Sequence, residues 1–114
     1  MSEAYSPSEH KSALYIDLNK FKAVNDNYGH LAGDKVLVEI AERLKQSCRE
    51  TDAVARIGGD EFVVLCRTTN PDYLKSLAER IKLVCSFPVE DGQRNYDISA
   101  SVGISVSELS LIHI

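Results

Sequence analysis

Features that would assign a chain to several common functional classes are missing from this sequence. It has no run of lysines or arginines, no apolar stretch long enough to cross a membrane, and no Cys-x-x-Cys pair. Its 13 basic residues are outnumbered by 17 acidic ones, which gives a formal net charge of −4. A nucleic-acid polymer is therefore a poor candidate ligand, whereas a small anionic ligand is acceptable if a metal ion assists.

The N-terminus and the cysteines indicate a cellular compartment. The first five residues have neither the basic nor the apolar region of a signal peptide. Together with the absence of a membrane span, this predicts a cytoplasmic location and no membrane contact by this segment. Cys48, Cys66 and Cys85 are odd in number and widely spaced, so we expect reduced, buried thiols.

The first half of the chain predicts one strand and two helices. Its composition, 44% apolar and 26% charged, suits one small globular domain. An apolar run over 13–16 ends at Asp17 and predicts a buried strand with a carboxylate at its C-terminal end. Apolar residues at helical spacing predict a short helix over 18–28, closed by Gly29, and a longer helix from about 34 to 48.

The second half predicts two hairpins, one helix and a final strand. Residues 54–66 read as a hairpin around two glycines. Asn70 is expected to cap a helix that begins at Pro71 and ends before Pro88. An Asp-Gly pair then predicts another hairpin, and the alternating residues 98–106 predict a strand with one buried face. This order predicts a single-domain α/β sandwich, with helices packed on a mixed, largely antiparallel sheet.

Acidic residues stand at two predicted strand ends. Asp17 closes the first strand, and Asp60 and Glu61 follow the double glycine, so the fold can bring these carboxylates together. Carboxylates repel one another unless a divalent cation lies between them, and oxygen ligands favour Mg²⁺ or Mn²⁺ over zinc. The alternative is that Asp17 and Asp60 are solvated turn residues. Gly58 and Gly59, which have no Cβ and permit φ above zero, predict either a backbone that approaches a phosphate closely or a type I′ turn.

Three spaced motifs resemble the diguanylate cyclase (GGDEF) family. Residues 56–62 contain Gly-Gly-Asp-Glu-Phe, residues 17–26 resemble Asp-x-Asp-x-Phe-Lys-x-x-Asn-Asp, and residues 29–34 match Gly-His-x-x-Gly-Asp. The resemblance covers residues 14–106 in the expected order, and three motifs rarely agree by chance. It implies a nucleotidyl-cyclase or palm-like fold, and an enzyme that condenses two GTP molecules into cyclic di-GMP and releases pyrophosphate.

The resemblance also implies the metal ligands and the catalytic residues. Asp17, the carbonyl of Leu18 and Asp60 would hold Mg²⁺ or Mn²⁺, and Glu61 would support the same metal cluster. Asp60 would accept the proton of the attacking hydroxyl. Lys22 would neutralise charge that grows on the phosphates; without the motif, it would be interpreted as a solvated lysine.

The implied substrate residues lie mainly on the two predicted helices. Asn25 and Asp34 would recognise guanine, because a carboxylate accepts from the N1 and N2 donors while an amide serves O6 or N7. Asp34 is also placed to cap the long helix. The other residues that the resemblance puts beside GTP are Phe21, His30, Arg56, Gly58 and Gly59. For His30 the alternative is a structural role in a glycine-rich loop.

A second ligand site is implied upstream of the double glycine. Arg49 and Asp52 form the Arg-x-x-Asp of family members with product inhibition, and Arg80 resembles the family's secondary arginine for cyclic di-GMP. The alternative is a polar connection between a helix and a strand. One domain of this size holds one GTP, so the resemblance implies a two-fold homodimer for catalysis and a sensory or regulatory domain in the parent protein.

The family pattern is incomplete at both ends of the chain. An upstream helix and a last helix with another phosphate-binding lysine are missing. We therefore expect an incomplete cyclase domain over 13–108, after a disordered lead or truncated element at 1–12 and before a truncated or foreign tail at 109–114. The competing function is a catalytically inactive regulatory module that binds GTP or cyclic di-GMP. A palm-like polymerase or an adenylate cyclase lacks support in charge or motif.

Overall fold

The computed structural model describes residues 10–106. In chain order they form β1 (Ser12–Asn19), α1 (Phe21–Tyr28), α2 (His30–Ser47), β2 (Ala53–Arg56), β3 (Glu61–Cys66), α3 (Pro71–Val84), β4 (Val89–Asp91), β5 (Arg94–Tyr96) and β6 (Ser99–Val106). Residues 1–9 of the predicted lead over 1–12 and the predicted tail over 109–114 lie outside the described residues, and Ser12, the last residue of that lead, begins β1. Within 10–106, no helix combines the length and apolarity needed to span a bilayer.

A four-stranded sheet in the order β2-β3-β1-β6 forms the centre of the fold. In β1, Leu14 lies opposite Val64 of β3 and Ile104 of β6. β4 and β5 form a separate two-stranded sheet. The predicted fold class is confirmed, and each strand pair found among residues 10–106 is antiparallel.

The core lies between the helices and one face of the four-stranded sheet. Side chains alternate between the two faces of a strand, so every second residue of β1 and β3 points to the core. The fully buried residues from the strands include Leu14, Ile16, Val64 and Cys66, and those from the helices are Val36, Ile40, Leu44, Leu74, Leu77 and Ile81. Each such Leu or Ile contributes roughly 1.5–3 kcal/mol by burial, which holds α2 and α3 firmly against the sheet.

The long helix α2 begins at His30, earlier than the predicted start at Asp34. Gly29 has a φ of 91° and ends α1, and its N–H donates to the carbonyl of Asn25 at 2.8 Å. The chain then turns directly into α2. The prediction missed this first turn because Leu31 is 79% exposed, so the apolar stripe becomes regular only later. Asp34 is therefore not the helix cap, and that prediction was wrong.

The short helix α1 begins at Phe21 rather than at Leu18. Leu18 and Asn19 instead continue β1, in register with β6. Lys20, between strand and helix, has a φ of 70°, a left-handed conformation that is uncommon for a residue with a Cβ. This single residue turns the chain from the sheet into the helix.

The third helix starts as predicted. The side-chain oxygen Oδ1 of Asn70 accepts hydrogen bonds from the backbone N–H groups of Asp72 at 2.8 Å and Tyr73 at 3.3 Å. Pro71 occupies the first helical position, where its missing N–H costs nothing. The predicted N-cap is confirmed.

Arg43 of α2 binds the end of α3 and the segment that follows it. Its guanidinium donates to the carbonyls of Val84 at 2.9 Å, Phe87 at 2.7 Å and Pro88 at 2.9 Å. The last carbonyls of a helix have no partner within the helix, so a half-buried arginine satisfies groups that would otherwise need water.

The three cysteines are free thiols, with Cys66 and Cys85 buried and Cys48 partly buried. Burial raises the pKa of Cys66 to about 12 and the pKa values of Cys48 and Cys85 to about 11. These groups stay protonated at neutral pH, as expected of structural cysteines.

Replacing Asn70 by alanine removes the acceptor for two N–H groups at the start of α3. We expect the Asn70→Ala change to lower the free energy of unfolding by about 1 kcal/mol, measured by urea denaturation. Asn70→Asp keeps the acceptor oxygen, so its free energy of unfolding should fall much less. Gln46→Ala, an exposed position of α2, serves as control. Equal stability of Asn70→Ala and the unchanged chain would show that Pro71 and packing suffice to start the helix.

Candidate active site

Three carboxylates from distant parts of the chain meet at one end of β1. Asp17 of β1 lies directly opposite Glu61 of β3, and the backbone N–H of Leu18 donates to the carbonyl of Asp60 at 3.0 Å. Asp17, Asp60 and Glu61 each offer a carboxylate oxygen, and these oxygens lie within 4.8 Å of one another. The cluster is therefore compact enough for one cation to contact all three residues.

The electrostatics of this cluster favour a divalent cation. Asp17 and Glu61 are exposed and Asp60 is partly buried. Solvent therefore screens the charge of Asp60 less than the charges of the other two carboxylates. Like charges directly opposite each other in an antiparallel pair are destabilising. Because the ligand atoms are all oxygens, the cluster suits a hard ion of the Mg²⁺ or Mn²⁺ type better than zinc.

The double glycine forms a wider turn than the sequence predicts. Arg56 pairs with Phe62, and the N–H groups of Ile57 and Gly58 both donate to the carbonyl of Glu61, at 2.9 Å and 3.3 Å. Among the described glycines only Gly29 and Gly92 have positive φ. The type I′ turn was therefore a wrong prediction, because the chain closes on Glu61 through a longer loop, while the close approach of the backbone to a phosphate stays a prediction.

Gly58 has a different role, which is to leave room for Glu61. A Cβ built at Gly58 would lie 3.0 Å from the carboxylate oxygen Oε1 of Glu61, so the Glu61 carboxylate would have to shift by a few tenths of an ångström. At Gly59 a Cβ would meet no atom of the described residues within 4 Å, so the backbone there is open to a ligand. Arg56 lies along the same loop and donates from Nε to the carbonyl of Gly58 at 2.9 Å.

The contact between α1 and α2 brings the residues predicted to recognise guanine to neighbouring positions. A Cβ built at Gly33 would overlap the side-chain oxygen Oδ1 of Asn25 and would lie 3.3 Å from Cζ of Phe21. Asn25 therefore occupies the space that a larger residue at position 33 would fill. Asp34 follows Gly33 directly and is exposed. The sequence motif contained Gly33, but it did not indicate that Gly33 leaves space for the Asn25 side chain.

The other predicted residues on these helices differ in accessibility. Lys22 is 88% exposed and its Nζ lies 3.0 Å from Oδ2 of Asp26, a surface pair of little energetic weight that can give way to a phosphate. His30 is exposed at the first position of α2. Phe21 is 8% exposed and belongs to the core, so it offers little surface to a ligand.

A groove of about 370 Å³ runs beside Asp34, between α2 and β4. Its lining residues are Leu31, Asp34, Lys35, Val38, Glu39, Val89 and Glu90. Lys35 donates to Asp91 at 2.8 Å, and this bond holds the pKa of the Asp91 carboxyl below its usual value. The size of the groove lies in the range of small-molecule sites.

The residues predicted for product inhibition gather where α2 ends and β2 begins. Oδ2 of Asp52 accepts the backbone N–H of Arg49 at 3.0 Å, and the N–H of Asp52 donates to the Arg49 carbonyl at 3.0 Å. Arg80 of α3 donates from Nη1 to the carbonyl of Ser47 at 2.7 Å. The Arg-x-x-Asp segment is thus a closed turn, and Arg80 lies at the helix end that leads into it.

Tyr73 of α3 contacts this turn, although it was not among the predicted site residues. Its hydroxyl donates to Oδ2 of Asp52 at 2.8 Å, and the guanidinium carbon of Arg49 lies 3.8 Å from the centroid of its ring. Burial raises the pKa of Tyr73, and the hydrogen bond to Asp52 adds to this shift. The available sequence signal was the position of Tyr73 in the first turn of α3, just after the N-cap.

Comparison with known proteins identifies the family of this chain. The family described as "Diguanylate cyclase, GGDEF domain" matches residues 1–111. The chain belongs to this family. The GGDEF chain is 44% identical over 95 residues to the bifunctional diguanylate cyclase/cyclic di-GMP phosphodiesterase MucR of Pseudomonas aeruginosa, and the match covers 83% of the chain and 14% of MucR. It is 41% identical over 99 residues to diguanylate cyclase A of Treponema denticola, covering 84% of the chain and 26% of that relative.

Solved structures show the same fold. The GGDEF domain of YfiN (also TpbB) from Pseudomonas aeruginosa superposes with a TM-score of 0.81 at 35% identity, over 93% of this chain and 71% of that one. The resemblance drawn from the three motifs is confirmed at the level of the family and the fold. This GGDEF chain spans 14% and 26% of the two curated relatives named above.

Replacing Asp17 by asparagine removes one of the three clustered carboxylates. We expect MgCl₂ or MnCl₂ to raise the thermal unfolding midpoint of the unchanged chain by binding the folded state, and to have little effect on Asp17→Asn. Without metal, the variant should be as stable or more stable by up to about 1 kcal/mol, the size of the repulsion between close charges in water.

Glu79→Gln, an exposed position on α3, is the control and should keep the full metal-induced shift. An undiminished shift in Asp17→Asn would exclude Asp17 as a ligand.

Proposed function

We propose that this chain is the catalytic module of a diguanylate cyclase, which condenses two GTP molecules into cyclic di-GMP and releases pyrophosphate. The observation that supports this most strongly is the convergence of Asp17, Asp60 and Glu61 within 4.8 Å. A lapsed domain that only binds a nucleotide has no need to keep three repelling carboxylates together. Membership of the GGDEF family is the second support.

In the proposed reaction, the 3′-hydroxyl oxygen of each GTP bonds to the α-phosphorus of the other, so two phosphodiester bonds form. At each α-phosphorus the bond to the oxygen that bridges to the β-phosphorus breaks, and one pyrophosphate leaves with the electron pair. Asp60 accepts the hydroxyl proton. Lys22 exchanges its exposed partner Asp26 for the phosphates and balances their charge.

Asp17, Asp60, Glu61 and the Leu18 carbonyl are proposed to hold Mg²⁺ or Mn²⁺. A bound divalent ion lowers the pKa of a hydroxyl and screens phosphate charge. The residues present fit such an ion because the donors are all oxygens and lie close together.

Specificity for guanine is proposed to come from Asn25 and Asp34. A carboxylate at position 34 accepts from N1 and N2 of guanine, whereas adenine has no N2 amino group and an acceptor at N1. Adenine would thus leave Asp34 unpaired, and unpaired polar groups in a site cost affinity strongly. Gly33 supports this selection because it leaves the space that Asn25 occupies.

We further propose that two copies act as a two-fold dimer and that the product binds at Arg49, Asp52 and Arg80. Each copy presents one acidic cluster and one pair of guanine-recognising residues, so each holds one GTP, and the two substrates must face each other. Arginines suit phosphate and guanine acceptors and a carboxylate suits guanine donors, so this set fits a ligand that combines phosphates with guanines. Binding of the product there would then slow its own synthesis.

Incubation with GTP and MgCl₂ tests the reaction, with pyrophosphate and cyclic di-GMP measured by chromatography. We expect both products in a ratio of two pyrophosphates per cyclic di-GMP, at a rate that rises more than linearly with protein concentration. Asp60→Asn should lower the rate by at least about 100-fold, the usual contribution of a general base, and Glu79→Gln should not. Tight binding of cyclic di-GMP with no turnover would instead favour the inactive regulatory module.

Replacing Gly33 by alanine separates guanine recognition from folding. The new Cβ displaces Asn25, so we expect GTP affinity to fall about tenfold or more in isothermal titration. The free energy of unfolding should change by less than about 1 kcal/mol, because the gain in helix propensity offsets the crowding.

Gly103→Ala is a matched control, since a Cβ there meets no atom of the described residues within 4 Å. Unchanged GTP affinity in Gly33→Ala would contradict the role of Asn25.

A further inference from the structure

A single side chain of α3 contacts both residues of the Arg-x-x-Asp segment. The Tyr73 hydroxyl donates to Oδ2 of Asp52 at 2.8 Å, and the same ring lies 3.8 Å from the guanidinium carbon of Arg49. The two contacts use different parts of the phenol, its hydroxyl and its face, so they form at the same time. Arg49 and Asp52 are therefore both held before any ligand arrives.

The position of Tyr73 is itself fixed by its helix. Its backbone N–H donates to the capping oxygen of Asn70 at 3.3 Å, and its partly buried side chain packs against the core beside Leu74. The phenol thus stands on a rigid element. Arg49 is exposed, and a long exposed arginine without such a support would sample many rotamers.

We propose that Tyr73 is a positioning residue of the cyclic di-GMP site and sets its affinity by holding Arg49 and Asp52 in place. This inference rests on the proposed product site, of which it names a further component. Ordering a flexible side chain on binding costs affinity, so a site that is ordered in advance binds more tightly. The cation–π contact restricts the conformation of the Arg49 side chain, and the hydrogen bond from the Tyr73 hydroxyl restricts that of the Asp52 carboxylate.

A purely structural role predicts a different outcome. If Tyr73 only connected α3 to the preceding loop, its loss would lower the stability of the fold and reduce the affinity for all ligands alike. If Tyr73 positions Arg49 and Asp52, its loss weakens the binding of cyclic di-GMP. The binding of GTP, which is proposed to involve Asn25 and Asp34, then stays unaffected.

Two variants separate the two contacts of Tyr73. Tyr73→Phe keeps the ring under Arg49 and removes the hydroxyl, whereas Tyr73→Leu removes both contacts. Isothermal titration of the chain with cyclic di-GMP should show about 3- to 10-fold weaker binding for Tyr73→Phe and about 10- to 50-fold for Tyr73→Leu. GTP affinity in the presence of MgCl₂ should stay within twofold for both. The unfolding midpoint of Tyr73→Phe should stay close to that of the unchanged chain.

The reference variants are Arg49→Ala and Tyr15→Phe. Arg49→Ala should abolish cyclic di-GMP binding, and Tyr15→Phe, on an exposed tyrosine of β1, should change nothing. If Arg49→Ala abolishes binding and both Tyr73 variants bind normally, the inference is wrong while the product site stands. If Arg49→Ala binds normally, the product site itself is wrong and the inference falls with it. Parallel losses of GTP and cyclic di-GMP affinity in Tyr73→Phe would assign Tyr73 a structural role and overturn the inference.

Discussion

The antiparallel register of β1 on β3 is the constraint on which the candidate active site depends. It sets Asp17 opposite Glu61, and the bond from the Leu18 N–H to the Asp60 carbonyl extends the pairing into the turn. A slip by one residue would send Asp17 to the opposite face of the sheet. The register is secure because Leu14 and Ile16 of the same strand are buried in the core, so the same packing that stabilises the fold assembles the acidic cluster.

The residues proposed to recognise guanine depend on a second close contact, between α1 and α2. Gly29 ends one helix with a φ of 91° and lets the next begin at once. The two helices then lie near enough for Asn25 to fill the space above Gly33. A glycine inside a helix costs about 1 kcal/mol relative to alanine, and here the missing Cβ leaves the space that the Asn25 side chain occupies.

The proposed product site and the acidic cluster lie at opposite ends of one short strand. β2 runs from Ala53, next to Asp52, to Arg56, next to the glycine loop. Four residues of extended chain span roughly 13 Å. The two regions are therefore neighbours along one strand, and both border the β2–β3 pairing.

The sequence by itself determined the order of elements, the N-cap at Asn70, the fold class and the family, because these depend on local periodicity, capping chemistry and ordered motifs. It also marked Asp17, Asp60 and Glu61 as candidates, but their distance from one another was decided only by strand register. Only the tertiary structure revealed four features: the start of α2, the wide turn at Gly58-Gly59, the contact of Asn25 with Gly33, and the contacts of Tyr73. The first three are local details of backbone geometry and close packing that the apolar pattern does not encode, whereas Tyr73 joins α3 to a turn 21 residues earlier in the chain.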